Sequence, residues 1–305
     1  MTRGELTAID LFCGAGGLSQ GFMKAGFDIL AANDFDGHAA STFKLNHPGT
    51  AFFDGPIEDI DPKDFLNVSN LKQGELDVLM GGPPCQAFSV NNHRRGMHDA
   101  RSGLFREYLR MVEGLMPRAV VMENVTGITS VAGGRAVEEI YFSLERLGFR
   151  VEHQILRAEE FGVPQERRRI FFVAIRDGGS FRWPRPTHQN EPDLLTAPLK
   201  LKPFVTVEDA IYDLPALQIA EGDEVSAYDA DPISDYQRKL REKSSQLLGS
   251  RMEQYRQVGN AVPPLLAEAV AQSVAHTLCG SYRQGIQLMR RPEHEVAQMK
   301  WGVLP

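Results

Sequence analysis

The sequence predicts an α/β fold with a mixed, mostly parallel sheet, followed by a smaller irregular region. Three observations carry this expectation. Strand-like and helix-like patterns alternate through the first half of the chain, the mark of a sheet covered by helices on both faces. The longest apolar runs have the length and texture of buried strands and fall short of a membrane span. A glycine-rich turn, Gly14-Ala15-Gly16-Gly17, joins the first strand pattern to the first helix pattern, where open α/β sheets build ligand sites.

Taken in order, residues 7–12 read as a buried strand. Beyond the glycine turn, Leu18, Gly21-Phe22 and Ala25 recur at the i, i+3, i+4, i+7 spacing of one helix face. Residues 27–32 and 76–80 read as strands, the latter running into Gly81-Gly82-Pro83-Pro84. Residues 104–116 read as a helix with a stripe of Leu104, Tyr108, Met111-Val112 and Leu115. A strand at 119–122 and a helix at 137–147, closed by Gly148, come next. Two strands expected to be antiparallel follow, at 150–156 and 170–175. From about residue 177 to 250 prolines are frequent and periodicity is weak, while 265–278 is again an amphipathic helix. These textures divide the chain into a main domain, 1–176, a reduced small domain or linker, 177–255, a returning segment, 256–280, and an unassigned tail, 281–305.

Composition narrows the function classes. The 305 residues are 42% hydrophobic and 24% charged, ordinary for a globular protein with a full core. The first residues, Met1-Thr2-Arg3-Gly4-Glu5, show no signal-peptide segment, so a cytoplasmic location is expected. Three widely spaced cysteines, Cys13, Cys85 and Cys279, fit a reducing compartment and no disulfide framework. Without a Cys-x-x-Cys pair or a His-x-Glu signature, no metal is expected. The net charge of −7 argues mildly against nucleic acid, although Arg94-Arg95, Arg167-Arg168-Arg169, Arg182 and Arg185 are local basic clusters.

Four constellations bear chemistry. The turn from Phe12 to Gly17 lets backbone N–H groups approach a ligand, and Asp34, 20 residues after Gly14, can accept from ribose hydroxyls. The turn lacks the Gly-x-Gly-x-x-Gly spacing and the phosphate-loop lysine, so a nucleoside fits better than a nucleotide phosphate. Alone, the turn is equally a tight loop without a ligand. Cys85 follows Pro83-Pro84 beyond a central strand, where proline limits the loop's freedom and can hold a thiol in one place. Most cysteines are simply small buried hydrophobes. Glu123 ends a buried strand, a position that can raise a carboxyl pKa. In Gln165-Glu166-Arg167-Arg168-Arg169, extended backbone would put Gln165, Arg167 and Arg169 on one face, suited to orienting a base or its phosphate.

Together and in this order, these stretches resemble the cytosine-5 DNA methyltransferase family. The matching residues are Asp10-Leu11-Phe12-Cys13-Gly14-Ala15-Gly16-Gly17, Gly82-Pro83-Pro84-Cys85-Gln86, Glu123-Asn124-Val125, Gln165-x-Arg167-x-Arg169 and Gly259-Asn260-Ala261-Val262-Pro263-Pro264. The resemblance implies a Rossmann-like domain that binds S-adenosylmethionine and releases S-adenosylhomocysteine. The loop Phe12, Gly14, Ala15, Gly16, Gly17 and Leu18 would hold this cofactor, with Asp34 on the ribose, Phe35 and Ile57 on the two faces of the adenine, and Pro83, Leu104, Asn260 and Ala261 completing the pocket. Cys85 would attack carbon 6 of a cytosine flipped out of DNA, Glu123 would grip the base's ring nitrogen and amine, and Arg167, with Gln165 and Arg169, would support that geometry.

Two departures from the family pattern stand out. Pro56 occupies a position where the family often has an acidic residue. More importantly, residues 205–215 resemble the lead-in to the family's target-recognition domain, yet only the 43 residues 216–258 separate them from Gly259. The recognition module is missing or minimal, and a partner chain is one source for it. Weak, sequence-relaxed DNA binding is therefore expected. An RNA cytosine-5 methyltransferase and a non-catalytic cofactor-binding companion are the alternatives. The first lacks its Cys-Phe-Thr signature, and the second leaves Cys85, Glu123 and Arg167 unexplained.

Overall fold

The structure is a computed structural model, and it describes residues 5–84, 100–176, 178–190, 200–214, 230–242 and 246–280. Seven strands form one sheet: β1 (Leu6–Leu11), β2 (Phe27–Asp34), β3 (Ala51–Asp54), β4 (Val78–Gly81), β5 (Ala119–Val125), β6 (Phe149–Arg157) and β7 (Arg168–Arg176). Their order is β3-β2-β1-β4-β5-β7-β6. Only β7 is reversed, antiparallel to both β5 and β6. The mostly parallel architecture is thus the one the alternating pattern predicts, and its Rossmann-like form the one the resemblance implies. From β1 the chain steps outward to β2 and β3, then returns to β4 and β5 on the other side. The crevice at the carboxyl ends of β1 and β4 is the topological switch point of such a sheet.

Alternation along each strand sends side chains into two cores. Ala8, Val78, Val121 and Val173 face one way, against Leu18 and Phe22 of α1 (Gly17–Lys24). The helix α9 (Pro264–Gly280) adds Leu266, Val270 and Val274 to this core. Ile9, Leu79, Val120 and Phe172 face the other way, against Phe65 of α3 (Pro62–Ser69), Tyr108 and Met111 of α4 (Ala100–Leu115), and Ile140 and Leu144 of α5 (Arg135–Arg146). Helix α2 (Gly37–Asn46) follows β2. Its N-cap, Asp36, accepts from His38 N and Ala39 N and so satisfies amides that a helix start leaves free.

The returning segment is fixed by close backbone approach. A Cβ on Gly21 of α1 would lie 2.3 Å from the Ala267 Cβ of α9, so the two helices touch where only glycine fits. The irregular region holds the two-residue strands β8 (His188–Gln189) and β9 (Lys202–Pro203) and the helices α6 (Val207–Ile211), α7 (Asp235–Glu242) and α8 (Arg251–Asn260). Helix α8 runs through residue 255, where the sequence texture suggests a boundary. Among the described residues, no helix is long and apolar enough to cross a membrane.

Candidate active site

The loop after β1 is built from strained backbone. Phe12, Gly14 and Gly16 all have positive φ, at 57°, 55° and 88°. This turns the chain sharply off the strand and into α1. Gly14 N donates to Asp34 Oδ2 at 2.7 Å and Asp36 N donates to Asp34 Oδ1 at 2.8 Å. Asp34 therefore locks the glycine loop to the end of β2, and each carboxylate oxygen keeps a further lone pair for a ligand hydroxyl. Burial raises the Asp34 pKa, opposed by these amide donors. A Cβ on Gly17 would stand 2.3 Å from Val262 O, so glycine here admits the returning segment to the loop.

Asp10 lies beneath the loop, fully buried at the end of β1. Its Oδ2 accepts from Ser19 Oγ at 2.6 Å, while its Oδ1 has no partner among the described residues. Burial, only partly offset by the Ser19 bond and reinforced by Asp34, pushes its pKa up to about 7. Its neighbour Cys13 is buried too, and burial together with the Asp10 and Asp34 charges raises the thiol pKa well above its usual value. Cys13 is thus a poor nucleophile.

On the far side of the switch point, β4 ends in Gly82-Pro83-Pro84. Asn124 Nδ2 donates to Pro83 O at 2.9 Å, tying this loop to β5. Cys85 and Gln86 lie outside the described residues, as does Asp99 before α4. Glu123, 9% exposed, sits directly under the loop: a Cβ on Gly82 would be 3.2 Å from its Oε2. Arg169 Nε lies 2.8 Å from Glu123 Oε1, a salt bridge between two largely buried side chains. Burial nevertheless outweighs Arg169 and Arg167, and the Glu123 pKa is raised.

The arginines divide the work differently from the sequence expectation. Arg169 meets Glu123, whereas Arg167 Nη1 donates to Gly259 O at 2.8 Å and its Nη2 to Asn260 O at 3.3 Å. Arg167 thus pins the returning segment. Arg167 lies just ahead of β7, which begins at Arg168, and its guanidinium reaches the carbonyls of Gly259 and Asn260. The side chain of Gln165, also ahead of β7, is exposed and takes no part in the cavity wall.

A cavity of about 710 Å³ joins the two sides. Phe12, Gly14, Ala15, Gly17 and Leu18 line one side with Asp34, Phe35 and Leu104; Pro83, Glu123 and Arg169 line another, and Asn260 and Ala261 close it. Two expected pocket residues stand back from this wall. Gly16, the N-cap of α1, backs onto His47, whose Nε2 would be 2.5 Å from a Cβ at that position. Ile57 is 2% exposed in the core, and its carbonyl accepts from Arg110 Nη2 at 2.9 Å. The wall also includes Asp10, Asp36, Asn124, Arg256 and Gln257, which sequence reasoning did not single out. Asp10 and Asn124 lay inside quoted motifs, but only the fold shows that their side chains turn inward.

Residues 6–247 match the family of C-5 cytosine-specific DNA methylases. The chain belongs to this family. Among relatives of this chain, Type II methyltransferase M.AgeI of Thalassovita gelatinovora is 39% identical over 254 residues, covering 79% of this chain and 59% of the relative. Type II methyltransferase M.AquIA of Picosynechococcus is 38% identical over 222 residues, covering 69% of this chain and 90% of the relative. The chain thus spans little more than half of the first relative but nearly all of the second. The crystal structure of an E. coli prophage protein assigned as a DNA modification methyltransferase superposes with a TM-score of 0.69 at 20% identity, over 90% of this chain and 99% of that one, which shows a shared fold.

The pocket fits the cofactor that the family implies. A buried, unpartnered Asp10 oxygen suits a ligand carrying positive charge, Asp34 retains acceptor capacity, and Phe35, 69% exposed, offers an open ring. Among the described residues, no group of three or more His, Cys, Asp or Glu is placed to hold a metal ion.

Proposed function

We propose that this methylase transfers a methyl group from S-adenosylmethionine to carbon 5 of cytosine in DNA, with Cys85 as nucleophile. One observation carries the reading: a single cavity has the Asp34-locked glycine loop on one side, and on the other a buried carboxyl, Glu123, under the proline loop that leads to Cys85. The bound cofactor supplies an electrophilic methyl group on a sulfonium.

The chain's own residues do the rest. The Cys85 thiolate adds to carbon 6 of the ring, and the electron pair it displaces makes carbon 5 nucleophilic. Glu123, whose pKa burial raises, meets the charge that develops at ring nitrogen 3 with a hydrogen bond or a proton. Arg169 fixes the orientation of that carboxyl. Once carbon 5 carries the methyl group, its hydrogen leaves as a proton, the carbon–sulfur bond breaks, and the thiolate is restored. The base must leave the duplex first, at a cost of a few kcal/mol. Cys13, with its raised pKa, does not compete for the nucleophile's role.

Target recognition is reduced in this reading. The lead-in, 205–215, contains α6, and only α7 and α8 are described between it and Ala261. With a net charge of −7, the chain alone binds duplex DNA weakly and with little sequence preference, and a partner chain is one source of the missing contacts. A nanomolar, sequence-specific complex of this chain alone would contradict that. Nucleoside mass spectrometry of DNA from cells expressing the chain tests the activity. We expect 5-methylcytosine with the wild-type chain and none with Cys85→Ser; equal levels from both would overturn the reading.

A further inference from the structure

The segment before the returning motif is fastened along one stripe of α2. At the end of that helix Asn46 makes a reciprocal pair with Gln246: Asn46 Nδ2 donates to Gln246 O at 2.8 Å, and Gln246 N donates to Asn46 Oδ1 at 3.1 Å. One turn back, Leu248 N donates to Thr42 Oγ1 at 2.9 Å, and Thr42 is 0% exposed. A turn further, Gly249 crosses His38, whose Nδ1 would be 3.2 Å from a Cβ there. At the helix start, Arg256 pairs with the N-cap Asp36. Positions 46, 42 and 38 are spaced four apart, so the contacts follow a single helix face.

The segment is also braced internally. Ser250 caps α8, Gln254 Nε2 donates to Gly249 O at 3.0 Å, and Gln257 Nε2 donates to Leu248 O at 2.9 Å. These bonds hand the position of α2 on to Arg256 and Gln257, both in the cavity wall, and then to Asn260 and Ala261. Gln257 Oε1 is buried without a partner among the described residues, at that wall. Thr42 and Asn46 lie outside the wall and take no part in the proposed chemistry.

We propose that residues 246–256 are a strap that sets the wall of the cofactor pocket beside Phe35 and Asp36, and that Thr42 and Asn46 are positioning residues which act on the adenosyl part of the cofactor only through it. This rests on the reading of the cavity as an S-adenosylmethionine pocket. The strap follows the abbreviated recognition region directly, so this wall is assembled from two segments some 200 positions apart in the chain.

The test uses the whole chain and S-adenosylhomocysteine as the probe, with titration calorimetry for affinity and stopped-flow for release. Thr42→Val keeps the shape but removes the acceptor for Leu248 N, whereas Thr42→Ser retains it. Asn46→Ala alters a half-exposed side chain and serves should Thr42→Val fold poorly. Thr42→Val, which loses one hydrogen bond to the strap, and Asn46→Ala, which loses two exposed ones, each weaken binding roughly three- to tenfold, mainly through faster release. Thr42→Ser stays near wild type, the unliganded melting temperature shifts by only about 5 °C or less, and kcat at saturating cofactor is retained. If the wild type binds the probe and Thr42→Val and Asn46→Ala bind it equally well, the strap is wrong and the pocket reading stands. If Thr42→Ser is as weak as Thr42→Val, the hydroxyl contact is not the cause, and the proposal fails. A wild-type chain that binds no probe overturns the pocket reading and the strap together.

Discussion

At the residue scale, the site depends on carboxyl groups held where water cannot stabilise their charge. Asp10 is the extreme case, buried with one oxygen unpartnered and a pKa of about 7. Its folded pKa lies above its ordinary value of 3.8, so the folded state holds this proton more tightly than the unfolded chain. The stability it contributes is full below the unfolded pKa and is lost as pH rises through about 7. Wild-type protein without ligand therefore loses melting temperature relative to Asp10→Asn as pH climbs from about 6 to about 8. Parallel melting curves for the two proteins across that window would show that Asp10 is ionised throughout. The sequence marks Asp10 only as part of a motif, because burial and a missing partner are properties of the fold. Likewise, the spacing Gln165-x-Arg167-x-Arg169 does not reveal that β7 begins at Arg168, nor that Arg169 rather than Arg167 meets Glu123.

At the scale of elements, strands β1, β2, β4 and β5 are legible because apolar residues run through them almost unbroken, and α1, α4, α5 and α9 because their stripes recur at helical spacing. Helix α2 is not. Its inward residues are Ala39, Ala40, Thr42 and Phe43, too small and too polar to make a stripe, and its capping by Asp36 resembles any loop acid. Helix α8 is hidden for a similar reason, since Met252, Tyr255 and Val258 are exposed while Gln257 is buried. The closeness of α1 and α9 is also written in a single glycine. Gly21→Ala would place a Cβ 2.3 Å from Ala267 Cβ and force the helices apart. We expect it to cost about 1–3 kcal/mol, seen as a lower urea midpoint, with a weaker hold on the returning segment. An unchanged midpoint would mean that α9 adjusts without loss.

At the scale of the whole molecule, two distant segments complete one cavity. The sheet supplies the glycine loop, Asp34 and Glu123, while the segment from Gln246 to Val262 closes over them, tied by Arg167 and by the contacts along α2. The Gly259-Asn260-Ala261-Val262 motif marks this segment in the sequence, but its route along α2 has no such mark, since no periodicity accompanies it. The chain spans 59% of M.AgeI and 90% of M.AquIA. In the proposed reading the catalytic frame stands without a full-sized recognition module, and the central claim is that this frame performs covalent catalysis at Cys85. DNA carrying 5-fluorocytosine tests that claim directly, because fluorine at carbon 5 blocks the final elimination. Incubation with S-adenosylmethionine should yield a stable protein–DNA adduct whose digest maps to the peptide containing Cys85. The absence of any adduct from the intact chain, or an adduct at another residue, would contradict it.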